Sequence, residues 1–179
     1  MHNNIIYLNL LITKKSIKIF YKKLKKINKM RAIIIILLLG ISLSFDAGAS
    51  RAYAARYNTE YNPNYKNYKY QGGDSANFVS QCLYNGGQSF SGCAGLDSKG
   101  MIPKVNDLKT CLLSKGWRSS STKPVNYKSG YPMFYKNSYG TSALIATRIE
   151  KTIVFYCSHN PDGCGFMKES TEGLEYYFL

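Results

Sequence analysis

Two glycine pairs bracket one short segment of this 179-residue chain, and they constrain its fold more than any other feature. Gly72-Gly73 runs into Asp74, and Asn85 runs into Gly86-Gly87. The first pair suits a tight turn into a helix capped by Asp74, the second a helix stop, so the spacing predicts a helix from about residue 75 to 85. Phe78, Val79, Cys82 and Leu83 fall three, four, seven and eight residues after Ser75, which places Ser75 on the face that must be buried. A thiol in that first turn would be acidified by the helix dipole to a pKa of roughly 3.5 to 7.5, with N–H groups free to cradle an oxyanion. An alcohol gains far less and needs a strong general base to take its proton. Where such a base stands therefore governs the chemistry open to this chain.

Two apolar runs, Ala143 to Thr147 and Thr152 to Tyr156, flank Glu150-Lys151 and read as an antiparallel hairpin. With Glu150 and Lys151 as its loop, Ile149 opposes Thr152, and counting back along both strands sets Ser142 opposite His159. His159 is the single histidine after residue 50.

The stretch Gly72-Gly73-Asp74-Ser75-Ala76-Asn77-Phe78-Val79-Ser80-Gln81 resembles the signature of the Putative amidase domain family, a branch of the papain-like NlpC/P60 and CHAP group that reads Gly-Gly-Asp-Cys-Thr-Asn-Phe-Val-Ser-Gln. Tyr61-Asn62-Pro63-Asn64-Tyr65, Gly130-Tyr131-Pro132-Met133-Phe134 and Ser158-His159-Asn160-Pro161-Asp162 extend the likeness over most of residues 51 to 165. The resemblance implies that Ser75 stands at the family's cysteine. It also implies that Ser142, just before the Ala143 to Thr147 strand, stands at the catalytic histidine, and His159 at the third, orienting position. Such a unit acts together, and losing either leading member removes most of the acceleration.

Three functional readings follow. In the first, the chain is a degenerate amidase-like domain whose cleft binds cell-wall peptide or glycopeptide without cleaving it. In the second, His159 leans across the hairpin to activate Ser75 as a serine-type amidase dyad. In the third, the tyrosine-rich segment from Tyr61 to Tyr70 makes the chain a secreted carbohydrate-binding or surface protein, ring faces and hydroxyls lining a groove. One of Tyr65, Tyr68 or Tyr70 is a candidate for polarising a carbonyl near Ser75. Each site residue also has an ordinary role: Ser75 in a first turn, Ser142 at a strand start, His159 as a hydrogen-bonded strand-end histidine and Asp74 as an N-cap.

Met30-Arg31, the apolar run Ala32 to Phe45 and Ala47-Gly48-Ala49 have the order of a signal peptide with an A-x-A cleavage site, giving a leader over 30–49, a basic extension over 1–29 and an amidase-like domain over 50–179. The run is too short to span a bilayer, so no stable membrane span is expected in the mature form. Within residues 1–29, Ile17, Phe20, Leu24 and Ile27 repeat at helical spacing among lysines, which would suit an anionic membrane surface, although the signal from Met30 is complete without them. Eight lysines precede Met30, Arg31 adds one and Asp46 is the only earlier acid, which leaves 15 basic against 9 acidic groups, a net +6, after residue 50. That moderate charge, without arginine clusters or a nucleic-acid motif, gives no indication of nucleic-acid binding.

All five cysteines lie after Ala49, and an oxidising compartment should pair most of them. Cys157 with Cys164 would close the His159 loop and Cys93 with Cys111 would tie the loop after the first bracketed helix, leaving Cys82 as a buried, inert helix cysteine. The spacing of Cys157, His159 and Cys164 fits no standard zinc site, and no metal or cofactor is expected. Further helices are expected over Ala52 to Glu60 and Asn106 to Leu113, and a strand over Gly130 to Tyr135. The expected fold is α+β, a papain-like, NlpC/P60-type domain with N-terminal helices packed on an antiparallel sheet.

Overall fold

The computed structural model describes residues 45–179, together with Lys22, Lys23, Lys25, Lys26 and Lys29, which are helical and exposed. The rest of the basic extension and the expected leader up to Ser44 lie outside the described residues. Within residues 45–179, three helices, α1 (Ala47–Tyr57), α2 (Ser75–Asn85) and α3 (Val105–Ser114), precede six strands, β1 (Arg118–Ser120), β2 (Pro132–Asn137), β3 (Gly140–Glu150), β4 (Ile153–His159), β5 (Asp162–Lys168) and β6 (Leu174–Phe178). The strands form one antiparallel sheet in the order β1-β6-β2-β3-β4-β5, so the chain is α+β with its helices packed against that sheet.

Helix α2 occupies the span that its glycine brackets specify, and Ser75 through Leu83 are all buried. A helix enclosed on every side must satisfy its polar groups internally. The Tyr53 hydroxyl donates to Gln81 Oε1 at 2.7 Å, and the Ser80 hydroxyl donates to the Asn77 carbonyl while accepting from Ile102 N–H. Phe78, Val79, Cys82 and Leu83 supply the apolar side and join Phe134, Ile145 and Val154 of the sheet in the core.

Helix α1 begins and ends earlier than expected, at Ala47–Tyr57 instead of Ala52 to Glu60. Its N-cap is Asp46, whose carboxylate accepts from Ala49 N–H at 3.0 Å, so Ala47-Gly48-Ala49, read from sequence as a cleavage tripeptide, is the first helical turn. At the other end the Tyr57 carbonyl is taken by the His159 ring, and the Asn58 side chain donates back to the Ala55 carbonyl. Helix α3 falls within one residue of the expected span.

The β3–β4 hairpin forms, but its register differs from the one counted above. Glu150 pairs with Ile153, so the loop is Lys151-Thr152, with Lys151 in the left-handed region at φ 44°. A β-bulge between Ala146 and Arg148 then takes up one residue, and Ile145 pairs with Cys157. Continued, that register sets Ala143 opposite His159 and Ser142 opposite Asn160. The expected pairing of Ser142 with His159 is therefore off by one position, enough to turn the two side chains to opposite faces of the ladder. Beyond the hairpin, Cys157 faces Cys164 across β4 and β5 and is disulfide-bonded to it; Cys93 and Cys111 form the second bridge, and Cys82 is free and buried.

Candidate active site

Ser75 opens α2, where the turn made by Gly72 (φ 101°) and Gly73 (φ 100°) delivers the chain to the helix. Its side chain points inward as expected, with 4% of its surface exposed. There its Oγ accepts a hydrogen bond at 3.2 Å from the N–H of Ala143, the residue directly after Ser142. The fold thus brings the helix N-terminus and the start of β3 together, and positions 75 and 142 adjoin. The Ser142 hydroxyl turns away and donates to the Asn160 carbonyl at 3.3 Å. Among the described residues, no acceptor receives the Ser75 hydroxyl proton.

His159, the end of β4, is 4% exposed and lies between Phe78, stacked at 4.1 Å, and Tyr61, tilted at 4.3 Å. Its Nδ1 is 2.8 Å from Asp74 Oδ2 and its Nε2 2.6 Å from the Tyr57 carbonyl. A carbonyl only accepts, so Nε2 donates to it, while Nδ1 is engaged by Asp74 Oδ2. Neither nitrogen is left free for a third group. Asp74 occupies the N-cap position, as expected, but its side chain makes no capping hydrogen bond to the helix. Its second oxygen accepts from Tyr68 N–H at 2.8 Å and from Asn77 Nδ2 at 2.9 Å, and Asn77 also donates to the Lys66 carbonyl. One buried carboxylate thereby fixes the tyrosine-rich segment, the helix and the end of β4 to one another.

A second carboxylate extends the network to the surface. Asp162 accepts from the Tyr61 hydroxyl at 2.8 Å and from Lys69 Nζ at 2.7 Å. Partial burial pushes its pKa up, but these two donors outweigh that and hold it below the usual carboxylate value. Burial, together with the adjoining Asp162, pushes the Tyr61 phenol well up, so it stays protonated and donating.

Two cavities open beside the adjoining positions. One, of about 480 Å³, is lined by Tyr68, Ser75, Lys104 and Thr141; the other, of about 460 Å³, by Asn137, Tyr139, Ser142 and Asn160. They share Gly72, Thr141 and Asn160, so the Ser75 and Ser142 sides form neighbouring parts of one cleft. Of the three tyrosines considered from sequence, Tyr68 lines the Ser75 cavity, but its hydroxyl donates to Asp97 at 3.0 Å, and burial and that carboxylate push its pKa up to about 12. Tyr70 is 93% exposed, and Tyr65 packs against the core. A further cavity of about 530 Å³, bordered by the Lys123–Glu169 ion pair at 3.0 Å, involves none of these residues.

Cys82 sits one helical stretch deeper than Ser75, is fully buried and has its thiol pKa pushed well above the ordinary value by that burial, which removes it as an alternative nucleophile. No group of histidine, cysteine and carboxylate side chains among the described residues is arranged to hold a metal ion.

The model of the family described as Putative amidase domain matches residues 44–143, more than half of the chain. The chain belongs to that family. The match takes in α1, α2 and both serine positions of this amidase domain and stops at Ala143, so His159 lies beyond it. No curated protein and no solved structure matches the chain. The role of His159 as a tie between Asp74 and Tyr57 was not legible in sequence, because its partners lie 85 and 102 residues away.

Proposed function

We propose that this chain is a secreted, catalytically degenerate amidase-domain protein with a papain-like, NlpC/P60-type arrangement, whose cleft binds peptide or glycopeptide without hydrolysing it. The observation that carries this reading is the occupation of His159: with Asp74 on one nitrogen and the Tyr57 carbonyl on the other, it has no means of drawing a proton from Ser75. A serine-type dyad would require both bonds to break and the ring to leave its place between Phe78 and Tyr61. Ser142, at the position where the resemblance implies a base, offers a hydroxyl already committed to Asn160.

The papain-like arrangement accounts for the order of elements, a helix presenting position 75 followed by an antiparallel sheet whose strand start presents position 142 beside it. Secretion accords with the two disulfides and with the absence, among the described residues, of a helix long and apolar enough to cross a membrane. A glycopeptide ligand accords with the cavity beside Ser142, whose lining contains no charged side chain and ends on Tyr139, 97% exposed. Neutral hydroxyl and amide groups beside an aromatic face are the complement of a sugar ring.

The test is to restore the missing chemistry. The Ser75→Cys, Ser142→His double variant is expected to gain amidase activity on cell-wall peptide substrates while the parent stays silent. Hydrolysis by the parent that is lost in Ser75→Ala would overturn the degenerate reading.

A further inference from the structure

The residues that sequence assigns to the end of a leader are built into the body of the domain. The Phe45 ring meets Trp117 edge-on at 5.1 Å and Tyr131 at 5.9 Å, and Trp117 is almost fully buried. Asp46 donates its N–H to the Gly86 carbonyl at 2.8 Å and caps α1 through its side chain. Ser50 is completely buried, with its hydroxyl on the Gly130 carbonyl at 2.9 Å.

Two glycines are fitted to this segment. A Cβ on Gly130 would lie 1.8 Å from the Ala47 carbonyl oxygen, and one on Gly86 would lie 2.5 Å from the Phe45 ring and 2.7 Å from the Asp46 carbonyl oxygen. Cleavage after Ala49 would remove the helix cap, the aromatic contact and the backbone against which both glycines close.

We infer that the leader is removed at the Ser44–Phe45 bond, five residues before a cut after the A-x-A tripeptide. A leader peptidase reads small residues at the first and third positions before its cut, and Ser44 and Ser42 supply them. Water adds across the bond, leaving a carboxylate on Ser44 and a free amino group on Phe45. The compact unit containing the cleft begins at Phe45, and the family match begins one residue earlier, at residue 44, both well before Ala49.

This inference rests on the secreted reading above, and one experiment separates the two. The full chain is expressed in a bacterium with a general secretory pathway, and the exported protein is examined by intact mass and N-terminal sequencing. Phe45 is expected as the first residue. Ser44→Leu, which places a large side chain at the cut, is expected to abolish release of the Phe45 form, whereas Ala49→Leu should leave the N-terminus at Phe45. Export with Ser50 or any other residue first, or loss of processing in Ala49→Leu, overturns the Ser44–Phe45 cut and leaves secretion standing. A full-length chain that stays inside the cell overturns both.

Discussion

His159→Ala separates a histidine that holds the fold from one that moves protons. The substitution removes a hydrogen bond to a buried carboxylate at 2.8 Å and a second to the Tyr57 carbonyl at 2.6 Å. A bond to a charged group contributes about 1.5 to 3 kcal/mol and a neutral one about 1 kcal/mol. The ring also leaves its stack with Phe78 and its contact with Tyr61, for roughly another 0.5 to 1.5 kcal/mol. Asp74 would keep Tyr68 N–H and Asn77 Nδ2 as donors, which limits the penalty on the abandoned carboxylate. The expected cost is about 3 to 5 kcal/mol, the range for removing one member of a buried pair. Over a compact unit spanning Phe45–Leu179, that corresponds to a fall in Tm of about 10 to 18 °C. Urea and thermal unfolding followed by circular dichroism measure it. Ser75→Ala, which deprives only the Ala143 N–H of its acceptor, should cost about 1 kcal/mol in the same assay. A loss of under about 1 kcal/mol in His159→Ala, or a smaller loss than in Ser75→Ala, would refute the structural role and return His159 to the list of available bases.

Gly130→Ala places a methyl group on the Ala47 carbonyl and forces alanine to φ 93°, so it should destabilise the domain by at least about 2 to 3 kcal/mol in denaturant titration. Cys82 should resist iodoacetamide in the native protein and react once urea unfolds it, read by mass spectrometry; rapid native labelling would contradict its burial. The folded-state pKa of Asp162 is depressed, so its stabilising contribution is present above the ordinary carboxylate value of 3.8 and disappears as pH falls through the folded value. Asp162→Asn should therefore be less stable than the parent near neutral pH and converge with it in acid, with the difference also shrinking in high salt because Lys69 is well exposed.

The local features of this fold are legible in its sequence and the distant ones are not. The limits of α2 are dictated by glycine pairs and an asparagine within a few residues of the helix ends, and both expected disulfides form, with Cys82 set apart from pairing by its place on the buried face of α2. The hairpin is recognisable from its β-branched runs, but its register depends on a left-handed Lys151 and a bulge after Ala146, neither of which carries a glycine to announce it. The start of α1 was obscured because Ala47-Gly48-Ala49 satisfies a cleavage pattern and a helical turn equally well. At the site, the inward aim of Ser75 follows from helical periodicity alone. The tie from His159 to Asp74 and Tyr57 depends on three segments meeting in space, for which sequence spacing gives no measure.

Because the imidazole of residue 159 fastens β4 to the chain end of α1 and to the turn before α2, while residues 75 and 142 contribute only one modest contact each, the mutational tolerance of the three positions is unequal. A lineage with this architecture is free to exchange the atoms at 75 and 142 by drift and still produce a soundly assembled protein. Substitution at 159 is instead opposed by selection for folding itself, independently of any hydrolytic role.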